Sequence, residues 1–150
     1  MDYSIVTDAS IALKWYVRDE VDAEPAFAIL LDYEQGRFRF IVPRLFYYEI
    51  VNAVHIAVRR KRITEEEGRD IIKDTLYLQM AVSDSPEILR NTYRLARKYN
   101  ISVYDAVYLS TAKENSSDFY TADRKLYEAL KGKENSVRWI GDYHMNKQSR

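Results

Sequence analysis

Four acidic residues occupy comparable positions along this chain: Asp8, Glu49, Asp105 and Asp123. Asp8 and Asp123 each follow a short stretch that has the composition of a buried strand. Glu49 and Asp105 lie one or two turns into predicted helices that follow loops. If these elements form a parallel sheet covered by helices, the four carboxylates are expected to meet at one edge, because such sheets bind ligands beyond the carboxyl ends of their strands.

A carboxylate cluster of this kind points to a divalent metal ion. The sequence has no cysteine and only two histidines, which excludes disulfides, cysteine-ligated zinc and a thiol nucleophile, and nearly excludes histidine-based chemistry. An all-oxygen donor set favours Mg2+, with Mn2+ as the alternative. Such a metal activates water and stabilises the charge that develops on a phosphate. Without metal the four acids would repel one another, so the cluster is better explained as a site than as a contribution to stability.

Each acid also has a structural explanation when it is taken alone. Asp8 and Asp123 are suited to capping the helices that follow them, and Asp105 stands three residues after Ser102, in a capping arrangement. Glu49 could be an exposed helical acid. Its neighbours are mostly apolar, however, and no lysine or arginine stands three or four residues further on to pair with it.

Other polar residues accompany the four acids. Ser10 and Thr121 are either turn and cap hydroxyls or groups that orient the adjacent acids or a metal-activated water. Asn52 lies on the same predicted helix face as Glu49. Asp118 is a fifth acid, shortly before the last of the four, and we predict that it lies in a loop.

Aromatic and basic residues near the acids have structural explanations first. The aromatic residues are predicted to be mostly core, with one or two left to stack on bases: Trp15, Tyr47, Tyr48, Tyr104 and Tyr108. The basic run at 59–62 is explained first as the end of a helix, where positive charge is stabilising. Contact with an RNA backbone is the second explanation. Lys+Arg and Asp+Glu are equal at 23 each, so any contact with nucleic acid must be local.

Length and composition indicate one soluble globular domain. The chain has 150 residues, of which 47% are hydrophobic and 31% charged, so it can bury a core. We expect the domain to span residues 1–143 and residues 144–150 to form a flexible tail. No apolar run approaches the roughly 18 residues of a membrane span. The chain start lacks the pattern of a signal peptide, so a cytoplasmic location without a membrane is expected.

Short apolar segments alternate with helical patterns along the chain. Strands are predicted at residues 3–7, 38–42, 78–82, 119–121 and 137–140. A helix capped by Ser85 is predicted to carry Leu89, Tyr93 and Ala96 on its apolar face. The alternation predicts a three-layer α/β/α fold with a central, mostly parallel sheet of about five short strands.

Four segments in this order resemble the PIN-domain family, and within it the VapC-type toxins of bacterial and archaeal toxin–antitoxin pairs. The segments are Val6-Thr7-Asp8-Ala9-Ser10 with Ala12-Leu13-Lys14-Trp15, Pro43 through Glu49-Ile50-Val51-Asn52, Tyr104-Asp105-Ala106-Val107-Tyr108-Leu109, and Tyr120-Thr121-Ala122-Asp123-Arg124-Lys125-Leu126. No single segment is specific. The resemblance rests on their order and spacing, and it covers nearly the whole chain.

The resemblance implies a PIN-like fold and a metal-dependent endoribonuclease that cleaves RNA phosphodiester bonds. On the family pattern Asp8, Glu49, Asp105 and Asp123 match the acidic, metal-binding site, and two polar positions match residues that often support it: Asn52 and Thr121. Similar proteins form homodimers and are inhibited by a VapB-type antitoxin, whose tail typically covers the acidic groove.

Two other functions remain open at this point. One is a catalytically silent PIN-like module that binds protein or RNA, which would not respond to metal. The other is a magnesium-dependent phosphatase or receiver domain on a similar sheet. Asp8 is followed by Ala9 and Ser10, so the common pair of aspartates two residues apart is missing, which disfavours the second alternative.

Overall fold

The computed structural model describes residues 3–144. Within this range a sheet of five short strands runs through the protein. Its strands are β1 (Ser4–Thr7), β2 (Arg39–Val42), β3 (Ala81–Val82), β4 (Asp118–Thr121) and β5 (Val137–Trp139). They lie in the order β3-β2-β1-β4-β5, and every neighbouring pair is parallel. All four residues of the central strand β1 are buried, as expected for a parallel strand that is covered on both faces.

Helices connect the strands and cover the sheet. They are α1 (Ala9–Lys14), α2 (Ala23–Glu34), α3 (Leu45–Arg59), α4 (Glu65–Tyr77), α5 (Pro86–Tyr99), α6 (Val103–Glu114) and α7 (Arg124–Leu130), and a 3₁₀ turn follows at Ile140–Asp142. No helix within residues 3–144 is both long enough and apolar enough to cross a membrane.

The strand register shows that the helices form two layers. Ile5 pairs with Phe40 on β2, so these two side chains share a face, whereas Phe119 on β4 pairs with Val6 and points to the other. On the first face Tyr33 of α2 packs on Phe40, with ring centroids 4.7 Å apart. On the second face α6 packs through a tyrosine ring stacked on Phe119. The predicted three-layer α/β/α architecture is therefore confirmed.

The buried face of α5 differs from the prediction. Leu89 and Tyr93 are 63% and 67% exposed, and α5 instead buries Ile88, Thr92, Leu95 and Ala96. Both sets have helical spacing. The buried set includes a threonine because the Thr92 hydroxyl donates to the carbonyl of Ile88 at 2.7 Å, which removes the cost of burying an unpaired polar group.

Two of the five aromatic residues predicted to be mostly core are exposed, which agrees with one or two of them being left out of it. Tyr48 and Tyr104 are 71% and 64% exposed, because they lie on the outer faces of α3 and α6 next to the acids of those helices. Trp15 and Tyr108 are buried as predicted, and Tyr47 is partly buried against the core.

Asp118 is not a loop residue. It begins β4, where it accepts a hydrogen bond from the Tyr3 hydroxyl (2.7 Å) and lies 3.8 Å from Arg138. These partners explain the acid without a role in the predicted site.

The predicted chain ends are only partly covered by the structure. The last strand ends at Trp139 rather than at residue 140, where the 3₁₀ turn begins. Of the tail predicted at residues 144–150, residues 145–150 lie outside the described residues.

Candidate active site

Asp8 lies directly after β1, where it caps α1. Its carboxylate accepts hydrogen bonds from the Ile11 backbone N–H at 3.4 Å, from the Ser10 hydroxyl, and from the Thr121 hydroxyl at 2.6 Å. The residue is only 6% exposed. Burial raises the pKa of Asp8 from 3.8 to about 6 although these hydrogen bonds oppose the shift, and the charge of Glu49 raises it further. A simple helix cap does not need such a costly environment for its charge.

Two hydroxyls join the end of β1 to the end of β4. Ser10, which donates to Asp8, accepts the backbone N–H of Ala122 at 3.1 Å. Thr121 donates to Asp8 and accepts the backbone N–H of Asp123 at 3.0 Å. The carboxylate of Asp8 and the backbone of Asp123 are thus fixed relative to each other through Thr121.

Asp123 is the N-cap of α7. Its carboxylate accepts the backbone N–H of Leu126 at 3.1 Å, which is the predicted structural role. One carboxylate oxygen is used in this bond, so the other is left for a further partner.

Glu49 projects from the second turn of α3 and is held by a tyrosine of α6. The Tyr108 hydroxyl donates to its carboxylate at 2.5 Å. Burial raises the pKa of Glu49, the charge of Asp105 raises it further, and the Tyr108 hydrogen bond opposes both. The pKa of Tyr108 is itself raised, first by burial and then by Glu49 and Asp8. Tyr108 therefore lies among the acids as a neutral donor.

Asp105 lies in the first turn of α6, where its backbone N–H donates to Ser102 at 3.0 Å. Burial raises the pKa of Asp105, and the charge of Asp123 raises it further, whereas the Ser102 hydroxyl and the Lys125 charge lower it.

The four predicted acids therefore interact as a continuous series, from Asp8 to Glu49, to Asp105 and to Asp123. Asp8 and Asp123 follow the carboxyl ends of β1 and β4, Glu49 lies in the second turn of α3, and Asp105 lies in the first turn of α6. Parallel topology accounts for the convergence, because the carboxyl ends of all strands face the same side of the molecule. We call these four residues the acid cluster.

The chemistry of the acid cluster fits a hard divalent cation, but not one enclosed by protein ligands alone. All donors are carboxylate oxygens, which suit Mg2+ or Mn2+. Within residues 3–144 no three Asp, Glu, His or Cys side chains converge closely enough to hold one ion together. Mg2+ is commonly bound through one or two carboxylates and completes its shell with water and substrate phosphates. The residues present fit a metal held in that way.

Asn52, predicted as a supporting residue, is exposed on α3. Its side chain has no hydrogen bond to the acid cluster among the described contacts, and its supporting role stays a prediction. Ser10 and Thr121 contact Asp8 directly.

Two residues of the site were not predicted from sequence. Tyr108 follows Asp105 by three residues, so helical spacing places both on one side of α6, and this signal could have suggested a donor for a neighbouring acid. Lys125 stands two residues after Asp123 in the first turn of α7, where a positive charge is unfavourable.

Comparison with known proteins identifies the family. The family model described as PIN domain matches residues 5–131. The chain belongs to the PIN-domain family. A curated relative, Ribonuclease VapC3 of Pyrobaculum aerophilum, is 27% identical over 126 residues, which cover 83% of this chain and 92% of that protein.

Two solved structures share the PIN fold. The crystal structure of PAE2754 from Pyrobaculum aerophilum has a TM-score of 0.68 at 20% identity and covers 93% of this chain and 92% of its own. A toxin–antitoxin complex from Klebsiella pneumoniae has a TM-score of 0.62 at 14% identity and covers 91% and 97%. At these identities the likeness supports the fold alone.

Proposed function

We propose that this protein is a metal-dependent endoribonuclease of the VapC type, the toxin of a toxin–antitoxin pair. The observation that carries the proposal is the acid cluster, a series of buried or half-buried carboxylates at the carboxyl edge of a PIN-domain sheet, in which burial and neighbouring acids raise the pKa of Asp8, Glu49 and Asp105. Such an arrangement destabilises the folded protein when no cation is bound, and it suits a site that receives a cation. The similarity to a curated VapC ribonuclease supports the choice of RNA as substrate.

The acids have distinct tasks in this proposal. Asp8, Glu49, Asp105 and Asp123 would hold Mg2+ or Mn2+ in pairs, which leaves positions for water and an RNA phosphate. When bound, the ion would activate water and stabilise the negative charge on the phosphate and the leaving oxygen. Thr121 and Ser10 fix the carboxylate of Asp8, and Tyr108 fixes that of Glu49, so the chain supplies rigid, correctly directed oxygens.

A protein partner is part of the proposal. Exposed apolar residues adjoin the acid cluster on α3, where Tyr48 and Val51 flank Glu49, and others lie on the neighbouring α4. Such patches on a protein surface mark interaction sites. We propose that a VapB-type antitoxin covers them, that the toxin forms a homodimer, and that both act in the cytoplasm.

RNA cleavage by the purified protein tests the enzymatic proposal. Total cellular RNA and defined transcripts are incubated with EDTA, Mg2+ or Mn2+, and the ends of the products are mapped. We expect internal cleavage that requires metal and falls by at least about a hundredfold in Asp105→Asn, since loss of a ligand removes transition-state stabilisation.

A matched variant separates loss of the site from a general loss of acid. Asp70→Asn makes the same chemical change at an exposed position of α4 and should cleave like the wild type. Wild-type protein that folds but cleaves no RNA with either metal would favour the catalytically silent binding module instead.

A further inference from the structure

Lys125 is a positively charged residue placed beside the acid cluster. It is the second residue of α7, two positions after the capping Asp123, and it is exposed. Asp123 is tied through Thr121 to the carboxylate of Asp8. A lysine of the chain therefore stands at the edge of the acid cluster, in the helical turn that Asp123 caps.

Helix energetics do not explain the lysine. The first turn of α7 has no acidic residue and begins with Arg124 and Lys125, although the positive end of the helix dipole disfavours cations there. A local rule broken without compensation often marks a functional residue.

The neighbouring arginine has close partners, whereas the lysine has none among residues 3–144. The Arg124 guanidinium stacks on the Trp139 ring at 3.8 Å from its centroid and lies 3.6 Å from the Glu128 carboxylate. Lys125 makes no hydrogen bond and no ion pair with any of the described residues. Its ammonium group is available to a ligand.

We propose that Lys125 binds a phosphate of the RNA chain next to the one that is cleaved. The argument rests on the proposed function and specifies how this site receives its substrate. RNA carries a negative charge on each nucleotide, and four carboxylates outweigh the two positive charges of one divalent ion, so the site still repels RNA. A lysine at the rim offsets that repulsion, and as a compact point charge on a flexible stem it suits a phosphate. The chain has no net charge, so this local contribution is not duplicated by a general positive field.

Kinetics of Lys125→Gln, Lys125→Arg and Arg124→Gln on an RNA that the wild type cleaves test the proposal. A contact made equally in the bound and reacting states changes KM and not kcat. We expect Lys125→Gln to raise KM about tenfold with kcat within about twofold. Lys125→Arg keeps the charge and should stay within about threefold of wild-type KM. Arg124→Gln should keep wild-type kinetics.

Salt dependence gives a second readout that a structural role would not change. The slope of log KM against log salt concentration should fall by about 0.7 in Lys125→Gln, the value for one phosphate contact on a single strand. The slope should be unchanged in Arg124→Gln.

Two results would overturn the proposal. If Lys125→Gln has wild-type KM and only a changed melting temperature in EDTA, Lys125 is merely a counter-ion of Asp105. If Arg124→Gln loses as much affinity as Lys125→Gln, the effect is one of general surface charge. If the folded wild type cleaves no RNA at all, the proposed function is wrong, and the inference about Lys125, which rests on it, is wrong as well.

Discussion

Asp8 is the least exposed of the four acids, and its hydrogen bonds only partly offset the cost of burying its charge. Ser10 and Thr121 each donate to one of its oxygens, yet burial still raises its pKa from 3.8 to about 6. At neutral pH and without metal, Asp8 is therefore an ionised group that destabilises the fold. We infer that the buried charge of Asp8 lowers the stability of the fold because the residue serves a functional site, a common relation between function and stability.

We predict that, without metal, Asp8→Asn gains about 2 kcal/mol of stability relative to the wild type when the pH rises from 4 to 8. The pKa of Asp8 is raised in the folded state, so its stabilising contribution is present below about pH 4 and is lost as the pH rises through about 6. The asparagine of the variant does not titrate and has no such loss. Urea unfolding in EDTA at both pH values measures the difference between the two proteins. A difference that is the same at pH 4 and pH 8 would show that burial of the Asp8 charge is not destabilising.

We predict that Thr121→Val destabilises the protein by about 2 kcal/mol, although the two side chains have nearly the same volume. The change leaves the Asp8 carboxylate without one donor and the Asp123 N–H without its acceptor, and unpaired buried polar groups are costly. Chemical denaturation with EDTA present tests this.

Thr111→Val is the matched control for Thr121→Val. Thr111 is also fully buried, but its hydroxyl only supplements a helical carbonyl, that of Val107. The cost should be much smaller, and a similar cost in both variants would argue against the linking role of Thr121.

At the scale of elements, helix starts follow from local chemistry and buried faces do not. Thr64 and Glu67, three residues apart, form a capping box, and Ser85 and Ser102 cap α5 and α6 as predicted. These signals act within four residues, so the sequence alone contains them. The bounds of the strands were also predicted to within two or three residues, because short apolar runs leave few alternatives.

The buried face of α5 depended on information that is not local. Two sets of residues have the same helical spacing, and packing against α6 decides between them. Ser110 of α6 donates to the carbonyl of Ile88 at 2.8 Å, which places that side of α5 inward. Likewise the Tyr108–Glu49 hydrogen bond joins helices 59 residues apart in sequence. The candidate acids could be chosen from their positions in the sequence, whereas the contacts that hold them could not.

We predict that Leu95→Ala costs about 3 kcal/mol and Leu89→Ala less than about 0.5 kcal/mol. Both leucines belong to α5, but Leu95 is 1% exposed and Leu89 63% exposed. The same side chain is thus removed from the core and from the surface of one helix. Urea denaturation of the two variants gives the comparison. Similar losses would mean that the Leu89 side of α5 is buried in solution, for instance against a second chain.

At the scale of the whole molecule, the acid cluster should link folding to metal. A ligand that binds only the folded state at a concentration about a hundred times its Kd stabilises it by about 2.7 kcal/mol. For a domain of this size that corresponds to a rise in melting temperature of about 5–10 °C. We predict this rise for the wild type with saturating Mn2+, measured by differential scanning calorimetry.

Asp105→Asn should lose most of the Mn2+-dependent rise, and Asp70→Asn should keep it. In EDTA, Asp105→Asn should melt at or above the wild-type temperature, because one repelling charge is gone. If all three proteins melt alike with and without metal, the acid cluster holds no ion.

The sheet has unusually little free edge. β3 at one side has two residues and β5 at the other has three, so a strand from another molecule would find only two or three peptide groups with which to pair. Short edges of this kind protect a sheet from growing by addition of further strands. Any stable assembly of this chain, with itself or with another protein, is therefore expected to use side chains on its helices rather than main-chain pairing.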